Sequence, residues 1–427
     1  MSTRLLDAKA KLAQGLWRDA LDHLNTHLAN PFHAKYDDAE ARLWRARCYF
    51  ELGDHRAAIA DAELALEADE TLAPAVMVRA RARSALEDWA GCIADVDRAL
   101  DLQEDVTAYL VRAFAKGRLG DHRGAIEDYD AYLEANPESA DAWEQKGLRR
   151  LDEGRCVRAI ADLESAIALE PEREEHLARI IGLARRILAL EAAGDLAKMA
   201  TACCERGHAR RGARDLVNAA LWFNRAIDTK RDHAEAWRAR GMVRYTLGRT
   251  EDALMDLTHA LELSPDFFVA RYNRAFVRAK LLDFAGAEED FTGYLTYHSS
   301  DVESLVYRGN ARRHLAQHDG ALADLTRALE INPGSSTAYF LRGLTRSEMG
   351  DAGGALADFT RALVHSATDA RVWLHRGRAR KLLGDREGAI ADWRRARELD
   401  AELHQDLDAA MAEQYAEAPS ASRLKAS

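Results

Sequence analysis

A repeat of 34 residues is the feature that most restricts how this chain of 427 residues can fold. The pattern Gly-Asp-x-x-x-Ala occurs at residues 120–125, 350–355 and 384–389, and related segments extend the repeat over most of the chain. A unit this short cannot bury a hydrophobic core alone, so consecutive units must stack on one another. Eleven units are recognisable, and they begin near residues 1, 39, 73, 106, 140, 200, 234, 268, 302, 336 and 370.

Each unit carries the signals of two helices joined by a tight turn. The fifteenth position is often glycine, where a left-handed residue would end a first helix. The eighth position is glycine or alanine in most units, the twentieth is alanine in every unit but one, which has Cys92, and the twenty-fourth is usually large and apolar. Small residues allow two helices to approach, and the large residue fills the contact between them. We therefore predict an all-α chain of helical hairpins. The fifteenth-position glycines are Gly15, Gly53, Gly120, Gly154, Gly248, Gly350 and Gly384.

Proline marks the end of several units. Pro137, Pro171, Pro265 and Pro333 occupy the thirty-second position, where the second helix has ended and the next unit begins. Together with the small and large apolar positions, this spacing resembles the tetratricopeptide repeat over residues 1 to about 400. The resemblance implies a right-handed superhelical solenoid of about eleven helix-turn-helix repeats. The sequence departs from the family pattern at the seventh and eleventh positions, where the usual apolar residue and tyrosine are mostly replaced.

Arginine occupies most of the seventh and eleventh positions, and aspartate occupies most of the twenty-third; we call this set the arginine–aspartate ladder. Because the two helices of a hairpin are antiparallel neighbours, we predict ion pairs that connect helices within or between units. The alternative is a positive stripe that binds an acidic ligand. The seventh-position cations are Arg45, Arg79, Arg112, Lys146, Arg206, Arg240, Arg274, Arg308, Arg342 and Arg376. The aspartates are Asp61, Asp95, Asp128, Asp162, Asp256, Asp290, Asp324, Asp358 and Asp392.

The repeat is interrupted near the middle of the chain. Residues 174–193 are rich in Leu, Ile, Ala and Arg, which predicts one extra long helix. An unpaired helix breaks the alternation of first and second helices, so we predict a joint at residues 174–199. It would separate an N-terminal array of about five repeats (1–173) from a C-terminal array of six repeats (200–403). Residues 404–427 are predicted to form a capping helix followed by a disordered tail.

The resemblance also implies where a ligand would bind. In the tetratricopeptide-repeat family the first helices line a concave groove, and the second, fifth, ninth and twelfth positions face it. The early units place Leu43, Arg47, Met77, Arg81, Leu110 and Phe114 at the fifth and ninth positions. Exposed apolar clusters mark binding sites, so the more apolar late units predict a peptide-binding groove. Its residues are Met242, Tyr272, Phe276, Val306, Asn310, Phe340, Leu344, Leu374 and Arg378. The alternative is that these side chains pack against neighbouring first helices.

Charge and composition argue against several classes of function. The formal net charge of −11 and the pI near 5.8 argue against a nucleic-acid or anionic-membrane partner, because both require a basic face. The first residues lack the apolar core of a signal peptide, and no segment approaches the roughly 18 apolar residues that span a bilayer. Five scattered cysteines indicate reduced thiols rather than a disulfide framework. We therefore predict a cytoplasmic protein.

No motif predicts catalysis, a metal or a cofactor. Cys203, Cys204 and His208 could supply part of a metal site, but adjacent thiols on a helix point in different directions and no second ligand pair follows. The repeated glycines are explained by the hairpin turns, and no nucleotide-binding loop occurs. These absences favour a non-enzymatic scaffold that binds a peptide or a partner domain, with no cofactor. The alternative is a regulatory or substrate-recruiting subunit of a separately encoded enzyme or secretion complex.

Overall fold

The computed structural model describes residues 3–29 and 35–400 of the chain. Within these ranges the chain forms 23 α-helices and no strand, which confirms the all-α prediction. The chain separates into two compact units, Met1–Ala236 and Trp237–Ser427. The predicted capping helix and tail at residues 404–427 lie outside the described residues.

The first compact unit contains five hairpins, one long helix and a sixth hairpin. A short 3-10 helix, Pro171–Arg173, precedes the long helix. The helices are α1 (Thr3–Ala13), α2 (Trp17–Leu28), α3 (Lys35–Glu51), α4 (His55–Ala68), α5 (Ala73–Ala85), α6 (Trp89–Leu102), α7 (Val106–Arg118), α8 (His122–Ala135), α9 (Ala140–Asp152), α10 (Cys156–Leu169), α11 (Glu174–Ala192), α12 (Leu196–Gly212) and α13 (Leu216–Thr229).

The remaining helices form five more hairpins, and the first of these helices begins at the end of the first compact unit. The helices are α14 (Ala234–Thr246), α15 (Thr250–Leu263), α16 (Phe268–Lys280), α17 (Phe284–Leu295), α18 (Val302–His314), α19 (His318–Ile331), α20 (Ser336–Glu348), α21 (Ala352–His365), α22 (Ala370–Leu382) and α23 (Arg386–Leu399). From α5 onward most first helices begin at the predicted start of a unit. Second helices begin at the seventeenth position of their units. Each predicted unit is therefore one helical hairpin, and adjacent helices pack as in an all-α solenoid.

The turn inside each hairpin depends on one left-handed residue. The predicted glycines at the fifteenth position have positive φ, as Gly350 does with φ 84°. Four units without glycine adopt the same conformation at this position, at Glu87, Arg214, Leu282 and Ala316, with φ between 57° and 63°. The packing of the two helices therefore dictates the turn even where the side chain opposes it, since the left-handed conformation is unfavourable for L-residues.

Replacing Ala316 with glycine is expected to stabilise the protein by about 0.5–1 kcal/mol, because it removes left-handed strain that exceeds the added entropy of the unfolded chain. Urea denaturation checks this prediction. The converse substitution Gly350→Ala is the matched control. A Cβ atom at Gly350 would meet no heavy atom within 4 Å, so the effect of Gly350→Ala comes from backbone conformation alone. Gly350→Ala is therefore expected to destabilise the protein. Equal stability of Ala316→Gly and the wild type would contradict the role of strain at this turn.

Close contact between the two helices of a hairpin requires the small eighth residue. A Cβ atom on Gly343 would lie 2.7 Å from Cε1 of Phe359, the twenty-fourth residue of the same unit. Phe359 is fully buried, as is Ala355 at the twentieth position. Glycine in a helix costs about 1 kcal/mol, and the buried ring that it admits offsets this cost.

The long helix α11 interrupts the hairpins as the sequence predicts. It packs on α10 and α12, and its buried face consists of Leu177, Ile181, Ala184 and Ile187. The next first helix, α12, begins inside the predicted joint. The hairpin that follows α11 contacts an earlier repeat. Asn218 Nδ2 on α13 donates a hydrogen bond of 3.0 Å to the carbonyl oxygen of Gly117 on α7. The predicted domain limits at residues 173 and 199 stay a prediction.

Candidate binding groove and arginine–aspartate ladder

Most steps of the ladder hold two cations on one buried carboxylate. Arg342 donates from Nε and Nη2 to the two oxygens of Asp358 at 3.0 and 2.7 Å. Arg346, one helical turn later, donates from Nη1 to the same carboxylate at 2.8 Å. The Asp358 side chain is only 3% exposed. The contacts confirm the predicted ion pairs and show that the arginine and the aspartate belong to the same hairpin.

The same two-pronged contact recurs along the chain. It joins Arg45 to Asp61, Arg79 to Asp95, Arg112 to Asp128, Arg240 to Asp256, Arg274 to Asp290, Arg308 to Asp324 and Arg376 to Asp392. Guanidinium and carboxylate groups match in this geometry, which fixes the orientation of both side chains. Each carboxylate is occupied by the arginines of its own hairpin and offsets part of their charge, and this favours a structural role over a stripe for an acidic ligand.

Two of the predicted groove residues, Tyr272 and Phe276, belong to an aromatic cluster on α16. Their ring centroids are 4.7 Å apart, and the Phe276 ring lies 4.4 Å from that of Tyr307. The Tyr272 hydroxyl donates a hydrogen bond of 2.7 Å to Glu303. Desolvation and this carboxylate raise the pKa of Tyr272. Tyr272 and Phe276 both remain half-buried, so the cluster presents ring surface to solvent while it packs internally.

Phe340 packs beside a histidine on the following first helix. Its ring centroid lies 5.7 Å from that of His375 and 6.0 Å from that of Phe359. Burial first, and then the nearby cations Arg378, Arg313 and Arg371, together lower the pKa of His375 to about 4. This end of the predicted groove is therefore an aromatic surface in which a histidine is held neutral.

The structure distributes the other predicted groove residues over separate contacts. Met242, Leu344 and Leu374 are half-buried and pack against different core clusters. Val306 is only 6% exposed. Asn310 accepts hydrogen bonds from Arg313 Nε and Nη2 at 3.3 and 3.1 Å, whereas Arg378 is exposed. The structure thus brings Tyr272 together with Phe276 in one cluster, and most of the others retain partly exposed surface. Their role in binding stays a prediction.

The early units contain an open apolar cavity of about 640 Å³ at groove positions. Leu110 and Phe114, at the fifth and ninth positions of α7, line it together with Phe50 and Trp89. Phe114 is 44% exposed, and its ring meets that of Trp89 edge to face at 5.7 Å. Trp89 is not among the predicted groove residues, because it begins a second helix and has no groove position in the repeat. Its position next to a hairpin turn was the only available signal.

A second cavity, of about 390 Å³, lies beside the first along the same early helices. It is lined by Arg47, Met77 and Arg81, and also by Glu104 and Asp105. Arg81 borders both cavities. The early groove positions therefore combine apolar surface with charges of both signs.

Cys203, Cys204 and His208, which could supply part of a metal site but are not predicted as one, form no ligand cluster. Cys204 Sγ lies 4.0 Å from His233 Nδ1, while His208 Nε2 lies 3.0 Å from Glu235. Over the ranges that the structure describes, no three His, Cys, Asp or Glu side chains are placed to hold a metal ion. None of the helices in those ranges has the length and apolar character that crossing a membrane requires.

Comparison with known proteins identifies the repeat. The family model described as tetratricopeptide repeat matches residues 5–73, 110–174 and 272–336. The chain is a tetratricopeptide-repeat protein. Two of its relatives are DnaJ homolog subfamily C member 3 of Rattus norvegicus, 34% identical over 99 residues, and tetratricopeptide repeat protein 13 of Homo sapiens, 30% identical over 105 residues. The aligned parts cover 23% and 24% of this tetratricopeptide-repeat protein but only 20% and 12% of the two relatives.

Several solved structures resemble parts or all of this tetratricopeptide-repeat protein. YrrB, described as a TPR protein with an unusual peptide-binding site, is 21% identical and aligns over 45% of this chain and 97% of its own, with a TM-score of 0.39. The type IV pilus biogenesis factor PilW is 18% identical over 50% of this chain and 98% of its own, with a TM-score of 0.44. Cut9–Hcn1 of the APC/C is 14% identical over 97% of this chain and 96% of that chain, with a TM-score of 0.42.

Proposed function

We propose that this tetratricopeptide-repeat protein is a non-enzymatic scaffold of the cytoplasm that binds a peptide or a partner domain on the face formed by its first helices. Tetratricopeptide repeats support a role in protein interaction, and stacked repeats offer a long surface for it. The proposed binding residues are the late groove residues from Met242 to Arg378 listed from the sequence, with the early cavity around Phe114 as a second contact region.

The observation that carries this proposal is the exposed ring surface at groove positions. Phe114 is almost half exposed above an open cavity of about 640 Å³, and Tyr307 is 38% exposed beside Tyr272 and Phe276. Aromatic side chains that stay partly in water lose unfavourable hydration when a partner covers them, and they are common at the centres of interfaces. An apolar or aromatic side chain of a peptide fits such a surface.

A displayed library of random peptides, selected on the full-length protein, tests the proposal. We expect enriched peptides with bulky apolar residues. Two variants test where they bind: the single variant Phe114→Ala and the double variant Tyr272→Ala with Phe340→Ala. The affinity of the peptides is expected to fall about tenfold or more in at least one of these variants. Circular dichroism and melting establish that the variants are folded. Replacement of Tyr272 leaves Glu303 exposed to solvent, so its structural cost is expected to be small.

Matched controls come from the second helices. Met255 and Val364 are 61% and 71% exposed apolar residues that do not belong to the groove positions, so Met255→Ala and Val364→Ala are expected to leave binding unchanged. Enriched peptides that bind all variants equally, or that lose binding only in the control variants, would contradict binding on the first-helix face.

A further inference from the structure

One hairpin, formed by α12 and α13, carries ladder arginines without a ladder aspartate. Its seventh and eleventh positions hold Arg206 and Arg210, but its twenty-third position holds Trp222. Equivalent arginines elsewhere bind the twenty-third residue of their own hairpin. Arg206 and Arg210 therefore require another source of negative charge.

Asp152, at the end of α9, supplies part of this charge from outside the hairpin. Its side chain is fully buried and accepts hydrogen bonds from Arg210 and from Trp222 Nε1, the latter at 2.8 Å. Arg149 Nη1 and Arg206 Nη2 stay 3.8 and 3.9 Å from its oxygens. One buried carboxylate thus faces three arginines and forms hydrogen bonds with only one of them.

A second acid, Asp215, does not compensate the remaining positive charge. Asp215 Oδ2 lies 3.4 Å from Arg210 Nη1, and Asp215 Oδ1 lies 3.9 Å from Arg118 Nη1. Asp215 also accepts from Asn218 Nδ2 at 2.9 Å. Within the described cluster, four arginines therefore surround two aspartates, and Arg206 approaches an acid no closer than 3.9 Å.

Arg206 is left without the contacts that its position makes in the intact ladder. The residue is 8% exposed, and its Nε and Nη2 atoms are buried without a hydrogen-bond partner among the described residues. In Arg342 these same two atoms hold the aspartate carboxylate. Burial, and then Arg210, lower the pKa of Arg206 to about 10. A buried guanidinium whose N–H groups lack hydrogen-bond acceptors is unfavourable, so binding of a compensating anion is favoured.

Arg206 also lines a cavity of about 360 Å³ between α11 and α12. The cavity wall contains Arg179, which is exposed and forms no ion pair with a described residue, and the apolar side chains of Ile180 and Leu183. Arg186 and Glu205 complete the charged part of the wall and pair with each other. Two cations without a direct carboxylate contact thus border an apolar wall, and the volume suits a small organic molecule.

We propose that the cavity between α11 and α12 binds a small organic acid, whose carboxylate contacts Arg206 and Arg179 and whose apolar stem lies on Ile180 and Leu183. A carboxylate is the ligand that matches this site, because every equivalent arginine of the intact ladder binds one. The site is separate from the groove residues, so it does not depend on the proposed function.

Calorimetric titration and thermal melting of the full-length protein with hexanoate test this site, with hexanamide as the uncharged equivalent and constant ionic strength. We expect saturable binding of hexanoate and a raised melting temperature, with neither effect for hexanamide. Arg206→Met is expected to weaken hexanoate binding about tenfold or more, and Arg179→Ala several-fold. Arg185→Ala is the control on the same helix, because Arg185 is exposed and pairs with Glu164 outside the cavity.

Arg206→Met is expected to fold without hexanoate, since it removes a buried cation that lacks hydrogen-bond acceptors and keeps an apolar stem of similar length. If this variant fails to fold, Arg179→Ala decides the question, because Arg179 lies at the surface. Three outcomes would overturn the proposal: no saturable binding of hexanoate, equal effects of hexanoate and hexanamide, or full binding retained in Arg179→Ala and in folded Arg206→Met.

Discussion

Replacing Asp358 with alanine is expected to lower the free energy of unfolding by about 3 kcal/mol or more. The substitution leaves Arg342 and Arg346 largely buried beside each other without their shared carboxylate. Breaking a buried ion pair from one side leaves uncompensated charge, which costs more than the net gain from the intact pair. Urea denaturation measures the loss, and hydrogen exchange of α20 and α21 locates it.

An exposed ion pair provides the matched control for Asp358. Glu330 pairs with Arg327 at 2.9 Å, but both side chains are more than half exposed, so Glu330→Ala is expected to cost less than about 1 kcal/mol. Combining Asp358→Leu with Arg342→Leu and Arg346→Leu is expected to recover part of the loss, because no unpaired charge remains. Similar losses for Asp358→Ala and Glu330→Ala would contradict the structural importance of ladder burial.

Acidification is expected to destabilise the protein through His375. The pKa of this histidine is lowered from 6.5 to about 4, first by burial and then by the cations around it. Between these two pH values the unfolded chain binds a proton at His375 and the folded chain does not, so stability falls as the pH falls. The loss of unfolding free energy that His375 causes is expected to reach about 1–3 kcal/mol and to stay constant below pH 4.

Comparison of the wild type with His375→Phe isolates this contribution. Denaturation at a series of pH values is expected to show a smaller loss of stability in the variant between pH 6.5 and 4. Phenylalanine fits the aromatic surroundings formed by Phe340 and Phe359, so the variant is expected to remain folded at neutral pH. Val364→Ala retains His375 and is expected to follow the wild-type profile. Parallel profiles for the wild type and His375→Phe would contradict the assignment.

Local sequence spacing was sufficient to predict the hairpins. The eighth, fifteenth and twentieth positions constrain helices that are neighbours in the chain, so a pattern within 34 residues predicts their contacts. The turn at Ala316 was harder to predict, because no glycine marks it and tertiary packing imposes the left-handed conformation. The long helix α11 followed from its composition, whereas its buried face depends on the helices that it meets.

The candidate sites were less predictable than the fold. The ninth-position rule from the family resemblance identified Phe114 and Phe276, but it could not tell how much of each ring neighbouring side chains would cover. The repeat pattern did not predict Trp89 as a lining residue, because Trp89 reaches the early cavity from a second helix. Whether a ring binds a partner or fills a core depends on the exposed fraction left after packing, and spacing along the chain does not contain that quantity.

The sequence by itself determined the all-α fold, the hairpin repeat, the extra helix and the ladder, because each depends on residues within one or two units. Only the tertiary structure decided that Asp152 replaces the aspartate missing from the hairpin of Trp222, since 70 residues separate these two positions. It also decided that Arg206 is buried beside a cavity with its Nε and Nη2 atoms lacking a hydrogen-bond partner among the described residues. The physical reason is that charge compensation in a folded interior depends on distance in space, which a local repeat cannot specify once an unpaired helix interrupts it.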